Sequence, residues 1–164
     1  MAGRTQVVVG QTPPGARLLV VGEAPGAQED LQGEPFVGRS GQLLDRLLAE
    51  AGLPREHVAV LNTVKCRPPG NRVPSRAETG ACRPWLEVQL ATLQPLVVVP
   101  LGLSATRWFL GPVTLSDVRG RVHEVDGRRV LPTYHPAAAL RGGPAGEPMR
   151  LLREDLQQAV ELAG

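Results

Sequence analysis

The residues of this chain best suited to chemistry lie in one stretch, Gly22-Glu23-Ala24-Pro25-Gly26-Ala27-Gln28-Glu29-Asp30, continued by Gly33-Glu34-Pro35-Phe36-Val37-Gly38-Arg39-Ser40-Gly41. Glycine allows backbone to approach a ligand closely, and here it is accompanied by carboxylates and by one aromatic ring in a chain that is only 3% aromatic. Such a ring suits stacking on a flat base. The competing reading is an ordinary Gly-Pro turn, with Phe36 in a core and Glu23 and Glu29 capping a helix or simply solvated. Two distant polar residues complete the set: Asn62 near the end of an apolar run, and His135 within Tyr134-His135-Pro136. Their structural alternatives are a strand-end turn former and a cap before a proline turn.

These residues need elements to hold them. Arg17 to Glu23, Val58 to Val64 and Leu96 to Leu101 are short apolar runs of the kind that form buried strands. Ser40 to Ala51 has apolar residues spaced for one helix face, closed by Gly52, and Met149 to Leu162 is a second amphipathic helix. Ser75 to Glu78 has capping-box spacing and starts a helix towards Leu93, although Gly80 and Pro84 weaken its first turns. Asp126-Gly127 between Arg121–Val125 and Arg128–Tyr134 is a hairpin signal. Alternation of strands with helices predicts an α/β domain, three layers α/β/α around a mainly parallel sheet of about four strands. In such sheets ligands bind at the carboxyl ends of the strands, so the loops after Val21, Val64, Leu101 and Tyr134 are expected to share one rim.

A length of 164 residues with 42% hydrophobic content predicts a single domain, residues 1–164. No apolar stretch approaches the roughly 20 residues that cross a bilayer, and Met1 to Thr5 lacks the apolar stretch of a signal peptide, so the expected place is the cytoplasm. A net charge of +2 excludes a histone-like polycation. Lys65, Arg67, Arg72, Arg76 and Arg83 nevertheless cluster against the single acid Glu78, and the alternative is solvated charge on ordinary loops.

The runs GEAPGAQED, GEPFVGRSGQLL, LNTVKCRPPGNRVP, VPLG and YHPAAALR, in this order, resemble the family-four uracil-DNA glycosylases of bacteria and archaea over nearly the whole chain. The resemblance implies that Phe36 stacks on a flipped uracil, that Asn62 reads the edge distinguishing uracil from cytosine, and that His135 stabilises negative charge on the departing base. It places Glu23 where a carboxylate orients water or stabilises the sugar cation, with Ala24 beside it in the pocket wall and Glu29 bordering the base. Arg39, Lys65, Arg67 and Arg72 become phosphate contacts, and Ala137 to Arg141 a wedge loop with Leu140 as the inserted side chain. His57 and His123 match no motif and are expected at the surface. The partner implied is uracil-containing DNA, met by a monomer away from membranes; whether a sliding clamp takes part is open.

Relatives in that family carry a four-iron, four-sulfur cluster on four cysteines. Cys66 and Cys82 match the second pair, and the first pair is absent from this chain, so no cofactor is expected for the chain as given. A start downstream of the first pair, a lost cluster and a non-cysteine ligand are the competing explanations. A related branch traps uracil-DNA covalently through a histidine in the loop that here reads Pro68 to Pro74, which contains none, so covalent trapping is not expected. The leading expectation is monofunctional hydrolysis of deoxyuridine in DNA. The alternatives are a non-catalytic module recognising uracil-bearing or damaged DNA, and a doubly wound domain for another nucleotide.

Overall fold

The computed structural model describes residues 6–164. Five strands form the sheet: β1 (Leu18–Gly22), β2 (Ala59–Asn62), β3 (Val97–Pro100), β4 (His123–Val125) and β5 (Arg128–Val130), in the order β2-β1-β3-β5-β4. Four of them run parallel, and β4 pairs antiparallel with β5 at one edge. The sheet is therefore one strand wider than the sequence suggests. The fifth strand is the first arm of the Asp126-Gly127 hairpin, whose two turn residues both take positive φ, as a tight turn matched to strand twist requires.

Strands β1, β2 and β3 are buried at every position, because helices cover both faces. Leu18, Val20, Val60 and Val99 face α2 (Arg39–Glu50), α6 (Pro136–Gly142) and α7 (Glu147–Ala163), which contribute Leu44, Leu48, Ala139, Leu152 and Leu156. The alternate residues Leu19, Val21, Leu61 and Val98 face α3 (Arg76–Leu93) and α4 (Leu103–Leu110) through Leu86, Leu90 and Ala105. Period-two alternation along each strand thus divides the core into two layers. The capping box forms as expected: Glu78 N–H donates to Ser75 Oγ at 3.1 Å, and Ser75 N–H to Glu78 Oε1 at 2.9 Å. Two short helices, α1 (Ala27–Gln32) and α6, occupy stretches expected to be loop, the first loop and the wedge loop, and α5 (Leu115–Val118) is a single turn before the hairpin.

The chain leaves β1 towards β2 on one side and leaves β3 towards β5 on the other. The connections diverge at the carboxyl ends of β1 and β3, the switch point at which doubly wound sheets take their ligands. Backbone bonds tie the segments there together: Thr63 N–H donates to Gly22 O, Leu101 N–H to Val21 O, and Gly102 N–H to Thr133 O. The four loops share one rim, as the strand pattern requires.

Candidate active site

Gly22 and Asn62 are the last residues of neighbouring strands and stand in register. A Cβ on Gly22 would lie 2.5 Å from Asn62 Oδ1 and 2.5 Å from Phe36 Cζ, so the amide and the ring converge over a spot only glycine leaves open. The Phe36 ring lies 5.6 Å from the His135 ring, centroid to centroid, at 31°. Phe36, from the first loop, therefore stands between Asn62 at the end of β2 and His135 at the start of α6.

Asn62 is 2% exposed, and its Oδ1 has no hydrogen-bond partner among the described residues. A buried acceptor left unpaired costs about 1–3 kcal/mol, a cost that a donor brought in from outside would relieve. Lys65 Nζ donates to the Asn62 backbone carbonyl at 2.7 Å, fixing the strand end that carries the amide.

His135 is the N-cap of α6: its Nδ1 accepts the Ala137 N–H at 3.0 Å. That bond requires a lone pair on Nδ1 and leaves the proton of a neutral ring on Nε2. Burial, reinforced by the Arg141 cation and opposed by Glu29, lowers the His135 pKa to about 4. The imidazole is therefore a neutral donor at physiological pH. The cap thus fixes the tautomer and leaves the Nε2–H free of that bond.

Glu29 lies in the first loop, with both oxygens engaged. Oε1 accepts Gly26 N–H at 2.9 Å, and Oε2 accepts Val37 N–H at 3.0 Å and Gly38 N–H at 2.9 Å. It ties the two ends of the loop together and caps α1, which is the structural alternative weighed for it. Glu23 differs. Its backbone carbonyl accepts from Thr63 Oγ1 and Val64 N–H, both at 2.9 Å, while its half-buried carboxylate has no hydrogen-bond or ion-pair partner among the described residues. Ala24 follows it, half-buried in the same wall.

The expected phosphate contacts divide. Arg39 is exposed at the first position of α2, and Arg67 is half-exposed with its Nε bonded to Asn71 Oδ1 at 2.7 Å. Lys65 corrects the sequence reading: it is 4% exposed, turned inward, and burial lowers its pKa to about 8, so it does not face a backbone phosphate. Arg72 is exposed but engaged with both oxygens of Glu78, at 2.6 and 3.1 Å, and this pairing holds the Glu78 carboxyl down at about 2. Leu140 packs half-buried against the core, so in this conformation it is not a projecting wedge. Exposed Arg141, close enough to influence His135, is the rim cation the residue pattern did not single out. His57 is exposed, whereas His123 is half-buried with Nε2 3.0 Å from Val118 O.

Arg55 was also missed. It follows α2 in a short 3-10 turn, Arg55–His57, and its guanidinium reaches Phe36 O at 2.5 Å and also Pro35 O. Asp45 Oδ1 lies at 2.9 Å and Gln11 Oε1 at 3.1 Å. No local motif signals such a residue, because its partners lie 10 to 44 positions away.

The switch point of this doubly wound domain gathers a ring, an amide with an unpaired oxygen and a neutral imidazole donor, groups whose chemistry suits a flat ring with a polar edge. Residues 9–157 match the model of the uracil DNA glycosylase superfamily. The chain is 43% identical over 159 residues to a type-4 uracil-DNA glycosylase of Thermotoga maritima, covering 95% of this chain and 82% of the relative. It is 44% identical over 146 residues to a type-4 uracil-DNA glycosylase of Archaeoglobus fulgidus (84% and 73% covered), and 39% over 170 residues to one of Sulfurisphaera tokodaii (98% and 76%). The chain belongs to the uracil DNA glycosylase superfamily.

Proposed function

We propose that this protein is a monofunctional uracil-DNA glycosylase, which hydrolyses the N-glycosidic bond of deoxyuridine in DNA to release uracil and leave an abasic site. The observation that carries the reading is the unpaired, buried Asn62 Oδ1 beside the Phe36 ring. Uracil offers an N3–H donor next to the O4 acceptor, and a carboxamide matches that pair with one acceptor and one donor. Cytosine offers an acceptor at N3 and would leave Oδ1 facing a lone pair.

The nucleotide must first leave the stack, at a cost of a few kcal/mol that pocket contacts offset. Phe36 then covers one face of the base, and His135 Nε2–H points a neutral donor at the oxygen where negative charge collects as the C1′–N1 bond breaks. A preorganised donor of this kind is worth about 2.7–4 kcal/mol in the transition state. The Glu23 carboxylate faces the positive charge developing on the sugar and orients the water that attacks C1′. That water gives its oxygen to C1′ and its proton to the carboxylate or solvent, while the uracil anion departs. Arg39, Arg67 and Arg141 are the phosphate contacts of this reading, which extends to a monomer acting on uracil-containing DNA in the cytoplasm. Among the described residues no helix is long and apolar enough to cross a membrane.

The cysteines stand apart from these steps. Cys66 and Cys82 line one apolar groove of 660 Å³ with Val7, Val9, Ala81 and Trp85, and Lys65 N–H lies 3.4 Å from Cys82 Sγ. Among the described residues no three metal-ligating side chains come together. Two thiols do not fit a four-iron, four-sulfur cluster, which takes four thiolates.

The test is a uracil-containing oligonucleotide incubated with the protein and then treated with alkali. Strand breakage at the uracil is expected. An intact strand with folded protein overturns the enzyme reading, and salt-sensitive retention of that strand without turnover would instead identify a binding module.

A further inference from the structure

Phe36 is held in a left-handed backbone conformation, φ 52°, while buried to 7% exposure. A bulky residue does not adopt that conformation unless its surroundings impose it, since it costs roughly 1–3 kcal/mol. Three features of the fold impose it. Gly41 leaves room where any Cβ would overlap the Phe36 carbonyl. Glu29 takes the N–H groups of Val37 and Gly38 just after the ring. Arg55 takes the carbonyls of Pro35 and Phe36 just before and at it.

We infer that Arg55 is a positioning residue for base recognition, resting on the reading of Phe36 as the stacking ring: its guanidinium latches the strained Pro35-Phe36 backbone and sets the spacing between that ring and Asn62. The latch is anchored on both sides. Arg55 is bonded to Asp45 on α2, and its Nε donates to Gln11 Oε1. Gln11 in turn exchanges backbone bonds with Val60, N–H to O at 2.8 Å and O from N–H at 2.9 Å, two residues before Asn62 on β2. One planar cation thus connects the wall that supplies the ring to the strand that supplies the amide. Its side chain is only 15% exposed, and all three of its nitrogens have protein partners, so it is placed for architecture rather than for phosphate. A lysine, with one ammonium, cannot span the same four acceptors.

The experiment compares wild type, Arg55→Met, Arg55→Lys, Phe36→Ala and the double variant Arg55→Met with Phe36→Ala. Each is first shown to be folded at the assay temperature by its unfolding curve. Single-turnover excision from a uracil oligonucleotide is expected to fall roughly tenfold to a hundredfold in Arg55→Met, as a misplacement of about 1 Å produces, and partly to recover in Arg55→Lys. Inhibition by free uracil should weaken in parallel, while affinity for the same DNA without uracil stays unchanged. Adding Arg55→Met to Phe36→Ala should change the rate less than about twofold, because the guanidinium acts through that ring. Effects that multiply, or an Arg55→Met enzyme with the wild-type rate, overturn the proposal. A crystal structure of folded Arg55→Met supplies a readout that survives failure of the glycosylase reading: residue 36 is expected to leave the left-handed region. If Phe36 keeps its φ and its place against His135, Arg55 is not the latch.

Discussion

Replacing His135 by asparagine separates its two tasks, because asparagine caps a helix well but neither titrates nor presents an imidazole N–H. In the wild type, burial lowers the His135 pKa from 6.5 to about 4. Between those values the unfolded chain takes up a proton that the folded chain refuses, so stability is full above about pH 6.5, declines as the pH falls, and levels off below about 4. At 1.36 kcal/mol per pKa unit, the decline amounts to roughly 3 kcal/mol. All other titrating groups are shared, so the stability difference between wild type and His135→Asn should shift by about that amount against the wild type between pH 7 and pH 4. Urea unfolding at intervals across this range measures it. The excision rate should show no step near 6.5, since the neutral ring is the working form, and His135→Asn should be slower by about a hundredfold to a thousandfold. A stability gap constant to within about 0.5 kcal/mol would show that the ring titrates as though solvated. An activity that requires the protonated ring would refute the neutral donor outright.

Gly22→Ala places a methyl group 2.5 Å from both Asn62 Oδ1 and Phe36 Cζ, and should lower kcat/KM by at least about a hundredfold while the protein still folds; near-normal kcat/KM would mean that the pocket lies elsewhere. Arg39→Ala and Arg141→Ala should each reduce the slope of log affinity against log salt by about 0.9, whereas Lys65→Met should leave it unchanged, since Lys65 is buried; a reduced slope for Lys65→Met would return it to the phosphate surface. Asp155, 2% exposed, accepts from Arg119 Nη2 and Nε at 2.7 and 3.1 Å and from Thr133 Oγ1 at 2.7 Å, two residues before His135. Asp155→Ala leaves the half-buried Arg119 without its partner and should lower unfolding free energy by about 3 kcal/mol in urea melts, against under 1 kcal/mol expected for exposed Glu154→Ala.

Local rules carried most of the scaffold. The capping box at Ser75, the Asp126-Gly127 turn and the buried runs that become β1, β2 and β3 each depend on residues within a few positions of one another, which is the range that pattern reading covers. The rim followed from topology, and with it the meeting of Phe36, Asn62 and His135. What stayed hidden was the direction of long side chains. Lys65 and Arg67 are two positions apart in a basic run, yet one bonds back to Asn62 O and the other reaches out to Asn71, a difference set by which face of the chain leaving β2 meets the core.

The other hidden feature is strain. Read as a sequence, Phe36 is an aromatic residue in a Gly-Pro loop, and nothing nearby announces a positive φ. The left-handed conformation becomes tenable only when Arg55, 19 residues away, and Glu29, eight before Val37, neutralise the backbone dipoles on either side of it. Both charged groups converge on this turn while also tying it to its neighbours, Glu29 through Gly26 and Arg55 through Asp45 and Gln11. Ordinary loops do not require this, since a glycine at position 36 would adopt the same φ without strain. The chain keeps a large aromatic there and surrounds it with a fixed cation and a fixed anion, so the ring is held by the folded protein before any base arrives. Under the proposed function, a flipped base would meet a finished wall, with the ordering otherwise charged against binding already complete.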